Sequence, residues 1–213
     1  MGICYIVGAG DCAETICPQP GDLLIAADGG ADHLLRMGLT PDLLLGDLDS
    51  LVGTRPSCPL LQYPAEKDDT DMALSVEEGI ARGYRTFLLF GVLGGGRLDH
   101  TLAAVSLLPG YAARGLDVTL IGGGQRVRAL AAGQTCVFSP HLRVYLSLFA
   151  ASGDACGVSA QSLKYSLENA TLKAHSSLGV SNEFLQGQVA RVSVEQGSLL
   201  LVWQEEWKEK EEA

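Results

Sequence analysis

The sequence predicts an α/β domain built on a parallel sheet, followed by a smaller all-β sandwich domain. Three observations carry this. Short apolar runs, each closed by glycine or aspartate, recur through about the first 125 residues. Helical periodicity lies between several of them. Beyond that point the chain turns to short runs that alternate polar and apolar residues between turn-forming segments.

Ile3–Val7 reads as a buried strand entering the turn Gly8-Ala9-Gly10, and Leu23–Ala27 as a second, ending in Asp28-Gly29-Gly30. A helix follows, with Ala31, Leu34 and Leu35 on its apolar face and Gly38 as its stop. Leu43–Leu45 is the third strand and runs into Gly46-Asp47-Leu48-Asp49-Ser50. Met72, Val76 and Ile80 give Thr70–Arg82 helical spacing, with Thr70 or Asp69 placed to cap it. Thr86–Phe90 and Asp117–Ile121 are strands, and Leu98–Leu108 is a helix expected to stop at Pro109-Gly110. Further strands are expected over 134–139, 142–149, 157–160, 170–174, 188–194 and 199–203. The expected division is 1–128 for the α/β domain and 129–213 for the β domain.

The bulk numbers narrow the function. A net charge of −10 and a pI near 4.7 argue against a nucleic-acid binder, which needs a basic face. Six cysteines at 4, 12, 17, 58, 136 and 156 include no Cys-x-x-Cys pair, so they read as reduced, small apolar residues rather than zinc ligands. No stretch has signal-peptide or membrane-span character, so a cytoplasmic protein without membrane contact is expected.

Four segments carry chemistry. Gly8-Ala9-Gly10-Asp11-Cys12-Ala13 fits a loose dinucleotide fingerprint, with Asp28 as the acid ending the next strand. That supports a rival reading, a nicotinamide-dependent oxidoreductase; the milder inference is that amides at this turn approach a phosphate, with Gly8 and Gly10 as nucleotide-side candidates. Asp47 and Asp49, spaced i, i+2 just past a strand and after Gly46, can converge on one hard cation such as Mg2+. Glu66-Lys67-Asp68-Asp69-Thr70-Asp71 is the densest charge patch. It holds more acids than a helix cap needs, and Lys67 is placed to reach a phosphate. In Gly94-Gly95-Gly96-Arg97-Leu98-Asp99-His100 the glycines free the backbone to wrap a ligand, and Arg97 offers a fork to phosphate oxygens. Several acids with one Arg and one Lys suit metal-assisted phosphoryl-type chemistry. The chain has neither a P-loop nor the protein-kinase motif set.

Taken together, these motifs resemble the thiamine pyrophosphokinase family. Ala27-Asp28-Gly29-Gly30, the Gly46–Ser50 segment, Pro64-x-Glu66-Lys67-Asp68-x-Thr70-Asp71 and Gly94-Gly95-x-Arg97-x-Asp99-His100 occur in that order. Ser162-Leu163-Lys164-Tyr165, Gly179–Phe184 and Leu200–Trp203 extend the likeness through the second half. Where the family usually has Gly-Leu-Lys-Tyr-Pro-Leu, this chain has Ser162 and Ser166 in place of the Gly and the Pro. The resemblance implies an enzyme that moves the diphosphate of ATP onto the hydroxyl of thiamine, using Mg2+ and working as a homodimer. It assigns Asp47, Asp49 and Asp71 to the metal. Arg97 and Asp99 match the family's nucleotide site, and Asp28, Gly29, Gly30, Lys67 and His100 are further nucleotide-side candidates; the convergence of acids at strand ends makes Asp71 or Asp99 the expected base. Ser181, Asn182 and Trp203 fall on the thiamine side. The alternatives are the oxidoreductase, a metal-dependent phosphoesterase and a non-catalytic thiamine or nucleotide sensor.

Overall fold

The computed structural model describes residues 2–48, 51–64, 66, 68–142 and 144–204. It divides into two compact units, Met1–Leu107 with Gly115–Gly123, and Leu108–Arg114 with Gly124–Ala213.

The first unit holds strands β1 (Ile3–Val7), β2 (Leu23–Ala27), β3 (Leu43–Gly46), β4 (Leu60–Gln62), β5 (Thr86–Phe90) and β6 (Asp117–Gly122). All neighbours are parallel, in the order β4-β3-β2-β1-β5-β6. Every residue of β2 and β3 is buried, which is why they read as unbroken apolar runs rather than alternating ones. Helices α1 (Gly30–Arg36) and α2 (Asp71–Ala81) join these strands, and Thr70 caps α2 by accepting from Ala73 N at 3.2 Å. The order runs outward from β1 in both directions, so the sheet has a switch point between β1 and β5. Parallel sheets open a crevice at such a point, beyond the carboxyl ends of the strands.

Backbone packing at that point is tight. A Cβ on Gly30 would sit 1.8 Å from Val7 O, so α1 can start against β1 only with glycine there. Gly91 has φ +65, and a Cβ on it would lie 2.3 Å from Gly8 O.

Helix α3 (Leu98–Ala113) corrects one expectation, because it passes through Pro109 instead of stopping there. Proline removes one helical hydrogen bond, at a cost of about 3 kcal/mol. Burial of Leu108, Tyr111 and Ala112 carries the helix onward, and Arg114 N closes its end on Gly110 O.

The second unit is a β sandwich. One sheet pairs β7 (Gln125–Ala131) with β13 (Gln196–Gln204), β13 with the first half of β9 (Tyr145–Gln161), and that half with β11 (Asn182–Glu183). The other pairs β8 (Thr135–Phe138) with β12 (Ala190–Ser193), β12 with the second half of β9, and that half with β10 (Leu167–Leu172). The runs expected as two strands over 142–149 and 157–160 are thus one strand that changes sheets. Ser152 (φ +59) and Gly153 (φ +116) turn it without ending it. Leu146, Leu148, Val158, Val192 and Leu201 fill the space between the sheets. Strands β4, β7 and β11 were not expected from the sequence. No helix among the described residues is long and apolar enough to cross a membrane.

Gly30→Ala should lower stability by about 3 kcal/mol or more, because the clash is with backbone that cannot step aside. Gly96→Ala, which meets nothing within 4 Å, should stay within about 0.5 kcal/mol. Thermal denaturation of the two variants checks the contrast.

Candidate active site

Three acids meet at the switch-point crevice. Asp28 follows β2 at φ +48 and is 7% exposed; its amide donates to Leu45 O at 2.7 Å, tying the ends of β2 and β3 together. Asp47 follows β3, where Gly46 at φ +146 and Leu48 at φ +68 turn the chain. Asp71 is the first residue of α2, and Ser75 Oγ donates to its carbonyl at 2.7 Å. One carboxylate oxygen from each of Asp28, Asp47 and Asp71 lies within 4.8 Å of the others.

Carboxylates gathered this closely repel one another when ionised. A divalent cation turns that repulsion into attraction, and an all-oxygen donor set suits Mg2+ or a similar hard ion. The residues present therefore fit such an ion.

The acids line one side of a cleft of about 520 Å3. Gly94, Gly95, Arg97 and His100 line another part of it, and Met72, Val92 and Ala104 give it an apolar wall. Gly94 (φ +97) and Gly95 (φ +88) pass over Asp11, which also lines the cleft.

The remaining expected residues fall as follows. Gly8 and Gly10 line the cleft, but their amides donate to Phe90 O at 2.8 Å and Gly91 O at 3.0 Å. Those two amides are thus engaged within the fold. The two glycines are there because the tails of β1 and β5 run too close for a Cβ, which on Gly10 would sit 2.7 Å from Gly91 O. No helix opens after Gly10, so the dinucleotide fingerprint lacks the element it requires. Gly29 is the N-cap of α1, and Gly30 is consumed by packing. Arg97 Nε and Nη2 donate to Asp99 Oδ1 and Oδ2 at 3.0 and 2.7 Å, and Asp99 is not among the residues lining the cleft. Asp49 and Lys67 lie outside the described residues.

In the second unit, Asn182 is buried and its amide clasps the backbone of Tyr165. Tyr165 N donates to Oδ1 at 2.9 Å, and Nδ2 donates to Tyr165 O at 2.7 Å. Ser181 has φ +60, and its amide donates to Ser147 Oγ at 3.0 Å. Trp203 is 9% exposed and packs edge-on against Phe138 at 5.4 Å.

Reading the sequence did not group Asp28 with the metal acids. The available signal was an acid ending a fully apolar strand beside the strand that carries Asp47. Asp11 and Met72 carried no signal of their own.

The fold and site define a class: an α/β enzyme with a cluster of three acids at the switch point of its sheet, joined to a β sandwich. Family models described as the thiamin pyrophosphokinase catalytic domain and the thiamin pyrophosphokinase vitamin B1 binding domain match residues 19–120 and 136–199. The chain belongs to the thiamin pyrophosphokinase family. It is 27% identical over 186 residues to the thiamine pyrophosphokinase of Bacillus subtilis (strain 168), an alignment covering 84% of this chain and 86% of the relative. Its structure is similar to the crystal structures of the enzymes from Bacillus subtilis and Geobacillus thermodenitrificans. For the first the TM-score is 0.83 and the identity 25%, covering 96% of this chain and 100% of the other. For the second the values are 0.81 and 27%, covering 97% and 99%. Yeast thiamin pyrophosphokinase shares the fold, with a TM-score of 0.74 at 15% identity over 94% of this chain and 86% of the other.

The Arg97 guanidinium donates to Asp99 and holds its carboxyl down at about 2. A depressed carboxylate pKa contributes stability above the ordinary value near 3.8, and that contribution is lost as pH falls toward 2. The pair is exposed, so salt screens it. Carboxyl NMR should find Asp99 ionised well below pH 3.8, and Arg97→Gln should return its midpoint toward that value. A midpoint near neutrality would contradict the pairing.

Proposed function

We propose that this protein transfers the diphosphate group of ATP to the hydroxyl of thiamine, giving thiamine diphosphate and AMP. The observation that carries the reading is the convergence of Asp28, Asp47 and Asp71 on the cleft of a chain whose two halves match the family's catalytic and vitamin B1 binding domains. On this reading residues 1–128 hold ATP and the metal, and 129–213 hold thiamine and the contact between the two chains of a homodimer. The setting is cytoplasmic.

In the transfer the thiamine oxygen bonds to the β-phosphorus, and the bond from that phosphorus to the oxygen of the α-phosphate breaks. AMP leaves with that oxygen, and the hydroxyl proton passes to a base. Asp28, Asp47 and Asp71 would hold Mg2+, with Asp49 joining them by family resemblance. When bound, the ion offsets phosphate charge. Asp71 or Asp99 takes the hydroxyl proton; of the two, Asp71 lines the cleft. Arg97 and His100 line the cleft and are suited to hold phosphate oxygens, with Lys67 alongside by resemblance. Asn182 shapes the thiamine side through the backbone of Tyr165.

The oxidoreductase reading has no helix after Gly10 to support it, and neither the phosphoesterase nor the sensor has an observation that favours it. Incubation with ATP, Mg2+ and thiamine should yield AMP and thiamine diphosphate in equal amounts. ADP or inorganic phosphate in place of AMP, or binding without turnover, would overturn the proposal. Asp71→Asn should lower kcat roughly 100-fold or more while the melting temperature holds. Near-normal turnover in that variant would remove Asp71 from the mechanism.

A further inference from the structure

We propose that Asp32 is a positioning residue for the cation site: its carboxylate latches the loop beyond Asp47 onto helix α1 and so fixes the spacing between Asp47 and Asp28. This rests on reading Asp28, Asp47 and Asp71 as the cation's ligands.

Asp32 sits in the first turn of α1, directly after the segment that carries Asp28. That helix is a fixed platform. Gly30 is pressed against the β1 backbone, and Ala31 and Leu34 are fully buried. From it, Asp32 Oδ2 accepts from Val52 N and Oδ1 from Gly53 N, each at 3.0 Å. A carboxylate that takes two consecutive amides fixes both the position and the direction of the loop, and charge-assisted bonds of this kind are stronger than neutral ones.

Two further observations point the same way. The Val52 side chain is 93% exposed, so at that residue the loop is held by the latch and not by burial. Gly53 has no positive φ, so its backbone conformation does not demand glycine. A Cβ there would lie 2.5 Å from Asp32 Oδ1, so it is the latch that leaves no room for a side chain. Asp32 does not line the cleft and therefore acts through the loop, as residues that orient a ligand from behind do.

The test measures Mn2+ binding directly, by electron paramagnetic resonance without nucleotide, alongside the Mg2+ dependence of AMP formation. Asp32→Ala should weaken Mn2+ binding about 10-fold and raise the Mg2+ needed for half-maximal rate by a similar factor. The kcat at saturating Mg2+ should stay within about twofold, a split that a general loss of structure would not give. Asp32→Asn keeps one acceptor and should fall in between. Gly53→Ala, which crowds the carboxylate, should reproduce the loss without touching Asp32. The double variant should be no weaker than the worse single, because both remove one interaction. Wild-type Mn2+ affinity in both Asp32→Ala and Gly53→Ala, or losses that add, would overturn the latch while leaving the function standing. A wild-type protein that binds no Mn2+ at this site would overturn the latch together with the assignment of the three acids as a nucleotide-free cation site, and AMP formation would still report the function separately.

Discussion

The close backbone contact among β1, β5 and the start of α1 is the constraint on which the rest of the first unit depends. Gly30 against Val7, and Gly8 and Gly10 against Phe90 and Gly91, allow main chains to meet where side chains would hold them apart. The contact brings the ends of β1 and β5 together and seats α1 at the end of β2. That sets where Asp28 emerges. Without it the acids would have no common point to face, because each comes from a different stretch of chain.

The acids add a second constraint that works against the first. Three carboxylates within 4.8 Å repel, and folding brings them together regardless. The local backbone is also held off its preferred ground: Asp28 and Leu48 have positive φ, where a side chain is disfavoured. Strain of this kind persists only where the surroundings over-determine it. Here Asp28 N is bonded to Leu45 O, and Leu48 packs against the apolar cluster around Leu44 and Ala26. The backbone that presents the three acids is thus held by these contacts.

How much of this was legible in the sequence depends on what each residue does. Strands β1, β2, β3 and β5 were readable because burial leaves a nearly unbroken apolar run, and β6 because Val118, Leu120 and Ile121 keep most of one. The sheet-changing strand β9 was not, because Ser152 and Gly153 carry the same signature whether they end a strand or bend it. Helix α3 beyond Pro109 was not, because local propensity lost to the burial of Leu108 and Tyr111. At the site, the residue types were legible and their grouping was not. Gly8 and Gly10 were read as phosphate glycines, and the fold adds that they permit a close approach to Gly91. The sequence marks that a backbone comes near something; only the fold says what.

The same ambiguity runs through the polar motif residues. Asn182 and Thr70 stand in segments that resemble ligand-binding motifs, and Asp32 follows one, yet each bonds backbone amides: Tyr165, Ala73, and the pair Val52 and Gly53. Loops at the ends of strands have lost the ladder that satisfies their amides, and an unpaired amide near a binding cleft is costly. A side-chain oxygen supplies the missing acceptor and fixes the loop in the same act. A polar residue in a loop beside a site is therefore explained first by the backbone it satisfies. Direct ligand contact is the stronger reading only for side chains such as Asp47 and Asp71, which share a cleft with others of like charge.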